Sequence, residues 1–432
     1  MSETVPASAG GRGAELLEAL RGQPGGAELL QLGEAREDLA LVGGAVRDLL
    51  LEGVPLELDV TIADDAAGLI EALSALLAAS GAEVRATQHE RFGTASLAWD
   101  RGRIDIALRR AESYPAPGAL PQVRPGSSQE DLARRDFSIN AIAIALGGAQ
   151  RGELAHADHA LEDLVQRRLR VLHEHSFIDD PTRLLRLARY RARLGFELEP
   201  GTAELAAEAL RSGVLMTVSR ARLGAELRLA LAEADAPAAL ATMGQLGVLA
   251  ALPVGLRFDR ELAERALALL PADGRADLLL MASLLLHLTA LPAQDPEPLI
   301  YGVLDELEFT AADRERTLRS ALRAPSLISA MTLAATPSQL HDALSVHTPE
   351  AIALAGALAG EHSSRGAEAA QQWFDRVRLV ELEIGGADLL AAGIPPGPEV
   401  GRRLARALAS KLDGELAAGR EAELAAALTA ET

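Results

Sequence analysis

Two carboxylates separated by one residue follow shortly after a Gly-Gly turn, and this combination most restricts the fold of the chain. The sequence reads LVGGAVRDLL and then PLELDVTIADD within residues 41–65. Gly43 and Gly44 favour a strand that turns sharply into a helix, where bare backbone N–H groups can face a phosphate. Glu57 and Asp59 flank one leucine on a short predicted strand, so their side chains point to one face.

Arg47 follows the two glycines by one helical turn and is predicted to face the same anion. A phosphate cradle beside two aligned carboxylates meets the requirements of Mg²⁺-assisted nucleotidyl transfer. Many kinds of phosphoryl chemistry remain compatible with this stretch alone.

The neighbouring segments predict a small α/β unit. A short helix near 27–35 precedes a strand at 39–42, and residues 64–80 have the leucine spacing of a helix. Three strand-like runs follow, the last two joined by a tight hairpin turn: 83–86, 94–99 and 103–108. We therefore expect a mixed head with a largely antiparallel sheet.

Asp105 lies on the third of these runs and faces the same way as Arg103, opposite Ile104 and Ile106. On a strand that adjoins Glu57 and Asp59, it would complete a three-acid metal site. On a half-exposed sheet it would simply face solvent. The sequence leaves both interpretations open.

Residues 114–128 are rich in proline and are predicted to be irregular, either a linker or a flap over the site. Residues 130–146 are predicted to form a helix that carries Arg134, Arg135 and Asp136. Adjacent arginines suit triphosphate oxygens, although charged residues on a helix often form a solvated face.

The chain is predicted to be almost entirely helical from residue 154 onward. Asp179 and Asp180 precede Pro181, which is typical of a helix start. Residues 167–193 contain eight arginines and three acidic residues, and this local excess predicts a site for RNA or a nucleotide. An arginine-rich helix paired with its neighbours is the alternative.

The formal net charge of −20 disfavours a generic nucleic-acid-binding protein, but it permits a local basic groove. Cysteine is absent, which excludes disulfides and thiolate metal sites. The N-terminus lacks a signal-peptide core, and the apolar run at 278–288 is too short to span a bilayer. We expect a cytoplasmic protein with no membrane association and no evident protein partner.

Taken in order, these motifs resemble the class II tRNA nucleotidyltransferases, the family of CCA-adding enzymes and bacterial poly(A) polymerases. The resemblance covers most of residues 39–230 and, more weakly, residues 385–416. The strings that carry it are LVGGAVRD, LELDVTIADDA, RFGTASL, IDIALRRAESYPAPGALP, EDLARRDFSINAIAIAL, SFIDDPTRLLRLARYRARLGF and VSRARLGAEL.

The resemblance implies an α+β protein, with a small mixed α/β head and a largely antiparallel sheet, followed by an all-helical neck, body and tail. The boundaries that follow are a flexible N-terminal tail at 1–25, the catalytic head at 26–148, the nucleotide-selecting neck at 149–212, the body at 213–325 and the tRNA-binding tail at 326–432.

The resemblance also implies the site. Glu57 and Asp59 would bind Mg²⁺, and Asp105 would be the third catalytic carboxylate. The implied nucleotide-binding residues are Gly43, Gly44, Arg47, Arg134, Arg135, Asp136, Asn140, Asp179, Asp180, Arg183 and Arg186.

Asp180 and Arg183 are expected to select the base. A carboxylate accepts from the amino group of cytosine or adenine, and a guanidinium donates to the adjacent ring acceptor. UTP and GTP present carbonyls there and would leave the carboxylate unpaired, which is costly. The implied reaction is template-independent addition of CCA, or part of it, to tRNA 3′ ends from CTP and ATP.

Three positions depart from the family pattern: Glu57 replaces an aspartate, Asp179 replaces a glutamate, and Ala160 replaces a glycine. The alternatives within the family are a CC-adding enzyme, an A-adding enzyme and a poly(A) polymerase. The long segment 110–133 disfavours the first, and the acidic C-terminus disfavours the last. A catalytically weak RNA-binding protein is the alternative from a different class.

Overall fold

The computed structural model describes residues 9–89, 94–253, 255–291, 295–360 and 364–429. The chain divides into two compact units, Met1–Val218 and Ser219–Thr432. The first unit contains all the described strands and the candidate site, and the second is helical.

A seven-stranded sheet organises the first unit in the order β3-β4-β5-β2-β1-β8-β9. Neighbouring strands are antiparallel except for β2 and β5, which are parallel. The strands are β1 (Ala40–Val42), β2 (Leu58–Ile62), β3 (Arg85–His89), β4 (Thr94–Trp99), β5 (Gly102–Leu108), β8 (Ile142–Ala145) and β9 (Leu154–His156). The predicted antiparallel character is confirmed.

Helices cover this sheet because its apolar residues need a partner layer. The helices in this part of the first unit are α1 (Ala9–Arg21), α2 (Gly26–Gly33), α3 (Gly44–Leu50), α4 (Ala66–Ala79) and α5 (Ser128–Ala133). Leu69 and Leu73 of α4 are completely buried, as are Leu97 and Ile104 of the sheet. Burial of about 25 cal/mol per Å² of apolar surface stabilises this layer.

The flexible tail predicted at 1–25 is wrong for residues 9–21, which form α1. Leu16 and Leu20 are one helical turn apart and are buried, so they form the apolar face of this helix. The many small residues of the segment had instead suggested a flexible tail. A Cβ on Gly13 would lie 2.0 Å from the carbonyl oxygen of Gly152, so glycine permits this close approach. Residues 1–8 lie outside the described residues.

The helix predicted at 130–146 is correct only for residues 130–133 and is wrong beyond Ala133. Helix α5 ends at Ala133, a 3₁₀ turn spans Ser138–Asn140, and the apolar run becomes β8 between β1 and β9. A fully buried strand has no polar alternation, so its sequence cannot be distinguished from that of a buried helix by periodicity.

Part of the proline-rich segment is regular, contrary to the prediction for 114–128. Strand β6 (Arg110–Ser113) pairs with β7 (Gln122–Pro125) in a two-stranded ribbon. Pro125 lies at the end of β7, opposite Arg110, where a missing N–H is tolerated.

The neck predicted at 149–212 is mainly but not entirely helical, because it contains β9 and the paired short strands β10 (Arg168–Leu169) and β11 (Glu197–Leu198). The helices of this part are α6 (Ala160–Gln166), α7 (Ser176–Asp179), α8 (Arg183–Leu194) and α9 (Pro200–Arg211), followed by a 3₁₀ turn at Val214–Thr217. The helix start predicted at Asp179 is displaced. Asp179 ends α7, and α8 begins at Arg183 after Pro181.

The second unit consists of helices, with no strand in its described ranges 219–253, 255–291, 295–360 and 364–429. They are α10 (Arg220–Leu231), α11 (Ala236–Gln245), α12 (Val248–Ala251), α13 (Arg260–Leu269), α14 (Ala276–Leu285), α15 (Pro296–Glu306), α16 (Ala311–Leu333), α17 (Pro337–Leu344), α18 (Pro349–Gly360), α19 (Ser364–Asp375), α20 (Gly386–Ala391), α21 (Pro398–Leu412) and α22 (Arg420–Thr429).

Glu350 is a buried anchor of the second unit. It is completely buried on α18 and binds Arg316 of α16 through both carboxylate oxygens, at 2.7 and 2.8 Å.

The described helices include none with the length and apolar character needed to cross a lipid bilayer. The predicted α+β class is confirmed, whereas the finer boundaries of neck, body and tail stay a prediction.

Candidate active site

Three carboxylates lie close together at the parallel strand pair β2 and β5. Asp59 on β2 lies directly opposite Asp105 on β5, and Glu57 immediately precedes β2. One oxygen from each of the three lies within 4.8 Å of the others. The structure thus brings together the three acids that the sequence placed on separate segments.

An open cavity of about 380 Å³ borders this cluster. Asp59 and Asp105 line it. Four guanidinium-bearing residues also line it: Arg103, Arg110, Arg134 and Arg135. Carboxylates beside several cationic side chains suit a ligand that carries both a divalent cation and negative oxygens.

The electrostatic environment of Asp59 is unusual for a carboxylate. Burial raises its pKa to about 7, and repulsion from Glu57 and Asp105 adds to this effect against the opposing influence of Arg135. No described side chain donates a hydrogen bond to Asp59. The cluster therefore favours a bound cation, because Arg135 and Arg103 only partly offset the burial of Asp59 and the repulsion among the three carboxylates.

Gly43 brings an arginine close to the acidic cluster. It has φ +73° at the end of β1, a conformation that side-chain-bearing residues rarely adopt. A Cβ there would lie 2.8 Å from Nη1 of Arg135 and 3.7 Å from Oδ2 of Asp59. Glycine is therefore needed for both the turn and the position of Arg135. A Cβ on Gly44 would meet only the guanidinium of Arg47, at 3.4 Å.

Arg47 points into the protein interior rather than toward the cavity. Its side chain is 2 % exposed, and Nη1 donates to Oδ1 of Asn140 at 2.6 Å. Asp48 accepts a second hydrogen bond from it. Arg47 consequently ties helix α3 to the 3₁₀ turn that precedes β8.

Asp136 connects that turn to α8. It is buried, and its Oδ1 accepts from Nδ2 of Asn140 at 2.9 Å and from the backbone N–H of Phe137. Its Oδ2 accepts from Nε and Nη2 of Arg186 at 2.8 and 2.6 Å. Burial opposes ionisation, but Arg186 and Asn140 outweigh it and lower the pKa of Asp136 to about 2.

Two residues that the sequence analysis missed hold the cavity arginines. Asp131 is 2 % exposed; its Oδ1 accepts from Arg134 at 2.8 Å, and its Oδ2 accepts from Arg135 at 2.9 Å. Glu112 accepts from Nη1 of Arg134 at 3.0 Å and from the hydroxyl of Tyr114. The spacing of Asp131 three and four residues before the arginines was the available signal.

The predicted base-reading pair lies beside these arginines. Asp180 is partly buried, and its Oδ1 accepts from the N–H and hydroxyl of Thr182 at 3.1 and 2.6 Å. Arg183 is 4 % exposed and donates to Oγ of Ser176 and to the carbonyl oxygen of Arg134, at 2.6 and 2.7 Å. The backbone of Arg134 and the side chain of Arg183 are thus directly joined.

Tyr190 of α8 is a further residue that the sequence analysis missed. Its ring lies 5.4 Å from the guanidinium carbon of Arg47 and 5.7 Å from that of Arg186. Phe137 packs edge-on against the same ring at 5.7 Å. Cation–π and aromatic contacts therefore reinforce the network around Asp136.

Arg91, Phe92 and Gly93 of the string RFGTASL lie outside the described residues.

Comparison with known proteins identifies related chains. Residues 39–170 match the family model described as the Poly A polymerase head domain. The chain is 32% identical over 424 residues to the A-adding tRNA nucleotidyltransferase of Geobacter sulfurreducens, covering 93% of this chain and 46% of that protein. It is 43% identical over 197 residues to the CC-adding tRNA nucleotidyltransferase of Deinococcus radiodurans, covering 45% of this chain and 50% of that protein. The chain thus spans about half the length of these curated relatives.

A solved structure extends the comparison to the whole fold. The Thermotoga maritima CCA-adding enzyme complexed with tRNA superposes with a TM-score of 0.73 and 26% identity. That match covers 96% of this chain and 97% of the other. The fold similarity therefore includes both units and not the sheet alone.

Proposed function

We propose that the chain is a class II tRNA nucleotidyltransferase that adds CCA, or part of it, to tRNA 3′ ends from CTP and ATP. Its similarity to the head-domain model, to the tRNA nucleotidyltransferase of Geobacter sulfurreducens and to the solved CCA-adding enzyme supports this proposal. The observation that carries this proposal is the carboxylate cluster of Glu57, Asp59 and Asp105 beside an arginine-lined cavity. The cytoplasm, which contains tRNA and nucleoside triphosphates, is the proposed location.

The donor set of the cluster suits Mg²⁺. Three carboxylates offer only oxygen ligands, which hard divalent cations prefer, and Asp59 lacks a hydrogen-bond donor in the described part of the chain. We assign Glu57 and Asp59 as the residues that would hold the ion. When bound, Mg²⁺ supplies Lewis-acid activation of the tRNA 3′-hydroxyl and charge balance for the departing pyrophosphate.

Asp105 is assigned to the proton of the attacking hydroxyl. Its side chain is 27% exposed and lines the cavity, so its carboxylate is accessible to a ligand there. A carboxylate adjacent to the nucleophile can accept its proton as the new phosphodiester bond forms. The oxygen that attacks the α-phosphate is then the 3′-oxygen of the tRNA, and pyrophosphate leaves.

Arg134 and Arg135 are assigned to the triphosphate. Asp131 holds both guanidinium groups in place before the ligand arrives, so little side-chain freedom is lost on binding. Gly43 allows Arg135 to approach the cluster, whereas a Cβ on Gly44 would make only an ordinary contact with Arg47 at 3.4 Å. We assign Arg47 a positioning role, since its guanidinium is buried.

Asp180 and Arg183 are assigned to base selection, with Asp179 at the preceding position of the motif. Ser176 and the carbonyl oxygen of Arg134 fix the guanidinium plane of Arg183. Asp136, Asn140 and Arg186 form the buried junction that keeps α8, and with it Arg183, at a constant position relative to Arg134.

The test uses the full chain with Mg²⁺ and tRNAs that end at the discriminator base, at C or at CC. CTP and ATP are supplied separately and together. Addition of CCA to the shortest tRNA is the expected result. A added to CC ends without any C addition would identify an A-adding enzyme, whereas unbounded A tails would identify a poly(A) polymerase. Binding of tRNA without incorporation on any substrate would contradict the enzymatic proposal.

A further inference from the structure

Arg103 extends across the carboxylate cluster from β5. Its Nε donates to Oδ1 of Asp105 at 2.9 Å and lies 3.7 Å from Oε2 of Glu57. Its Nη2 donates to Oγ of Ser96 on the adjacent strand at 3.2 Å. One guanidinium therefore spans two of the three carboxylates that form the candidate metal site.

The ion pairs of Arg103 are too exposed to contribute much to the stability of the fold. The side chain of Arg103 is 51% exposed, and that of Glu57 is 46% exposed. Exposed ion pairs contribute little to stability because water and salt screen them. The described partners of Arg103 are confined to the cluster and Ser96, so its position relates to the charge of the site.

On the basis of the metal site in the proposed function, we propose that Arg103 is a tethered cation that competes with the divalent metal ion for the carboxylate cluster, through its contacts with Asp105 and Glu57. In the metal-free site the guanidinium offsets the repulsion between the clustered carboxylates. A divalent ion held by Glu57 and Asp59 would lie close to this positive charge, which is 3.7 Å from Oε2 of Glu57, and like charges repel.

Exposure gives Arg103 the freedom to move aside when the metal ion enters. The guanidinium stays protonated throughout the physiological pH range, so the competition does not disappear at neutral pH. The predicted consequence is a site with lower intrinsic affinity for the metal ion than its three carboxylates alone would give.

Direct Mn²⁺ binding tests this inference without reference to activity. The full chain is titrated without nucleotide, and free Mn²⁺ is measured by electron paramagnetic resonance. We expect Arg103→Gln to bind Mn²⁺ roughly fivefold more tightly than the wild type, the size of an exposed charge interaction. Arg103→Lys keeps the charge and is expected to stay within about twofold of the wild type.

Arg101→Gln is the matched control, because it removes the same charge from the turn between β4 and β5. It should leave Mn²⁺ affinity unchanged, and Asp59→Asn should abolish binding at the cluster. Equal affinities of wild type and Arg103→Gln would overturn the inference, as would an equal gain in Arg101→Gln. Thermal unfolding of each variant verifies that it is folded.

The outcome is separable from that of the proposed function. Normal tRNA extension together with unchanged affinity in Arg103→Gln would reject only the competition. Tighter Mn²⁺ binding in Arg103→Gln, combined with no tRNA extension by the wild type, would uphold the competition and reject the enzymatic role. Absence of Mn²⁺ binding to both wild type and Arg103→Gln would reject the inference together with the metal site.

Discussion

Asp59 and Asp105 lie directly opposite each other on neighbouring parallel strands, although a helix and two strands separate them in the chain. Their alignment follows from the register of β2 and β5, in which the flanking pairs are Leu58 with Ile104 and Val60 with Ile106. These apolar pairs are buried on the opposite face of the sheet. A one-residue slip would expose them, so packing of the core holds the two carboxylates together.

Asp105→Asn is predicted to lower kcat by at least about 100-fold, the range of a lost general base. The amide keeps the shape of the side chain but accepts a proton poorly. Single-nucleotide addition to tRNA at saturating CTP measures the effect. The control Asp100→Asn changes an exposed residue of the β4–β5 turn. A similar loss in both variants would contradict a specific role of Asp105.

Asp131→Asn is predicted to raise KM for the nucleoside triphosphate by roughly tenfold, consistent with loss of a hydrogen bond to a charged group. The amide can no longer accept from Arg134 and Arg135 at both of its terminal atoms, so the two guanidinium groups lose their fixed direction. Gln129→Ala on the same helix is the control, because its side chain is exposed. An unchanged KM would mean that Asp131 only stabilises the fold.

Gly43→Ala is predicted to weaken nucleotide binding as well as folding. Its positive φ costs about 1 kcal/mol in any residue with a Cβ, and the added methyl would also displace Arg135. Gly81→Ala isolates the first effect, since Gly81 has φ +87° and open space around its Cβ position. Both variants should lose stability in thermal unfolding, but only Gly43→Ala should bind a CTP analogue more weakly.

Asp180→Asn is predicted to reverse part of the base preference. The amide keeps an oxygen for Thr182, but its NH₂ group donates to the carbonyls of uracil and guanine. The ratio of kcat/KM for CTP to that for UTP is expected to fall by at least about tenfold. Glu174→Gln provides the control, because Glu174 is exposed. Equal losses for all four nucleotides would contradict base selection by Asp180.

Asp136 is predicted to make the first unit sensitive to acid. Its folded pKa of about 2 lies below the ordinary value of 3.8, so the ionised form stabilises the fold at pH values above about 4. This contribution, about 2 kcal/mol, is lost as the pH falls from about 4 through 2.

Asp136→Asn should therefore be destabilised at pH 7, and its difference from the wild type should shrink on acidification. Urea unfolding followed through Trp99 in a Trp373→Phe background reports on the first unit alone, because Trp373 belongs to the second. Asp158→Asn, at an exposed position, is the control. A destabilisation that does not depend on pH would exclude ionisation of Asp136 as its cause.

The sequence by itself determined those features that depend on local periodicity. The single residue between Glu57 and Asp59 places both on one face of a strand, and the same alternation puts Arg103 beside Asp105. The hairpin between β4 and β5 was predictable from its turn residues, and the helical second unit from its apolar spacing. The roles of most candidate site residues came from the resemblance of the ordered motifs to a known family and not from periodicity.

Only the tertiary structure decided which of these segments meet. Residues 142–145 become a strand because β1 and β9 flank them on both sides, which no local signal encodes. Arg47 faces the interior because Asn140, distant in sequence, accepts its hydrogen bond. Asp105 joins Asp59, and Arg103 spans the cluster, because strand pairing joins backbone groups that are far apart in the chain. Hydrogen bonds and packing between distant segments thus convert a local pattern of acids and arginines into a site.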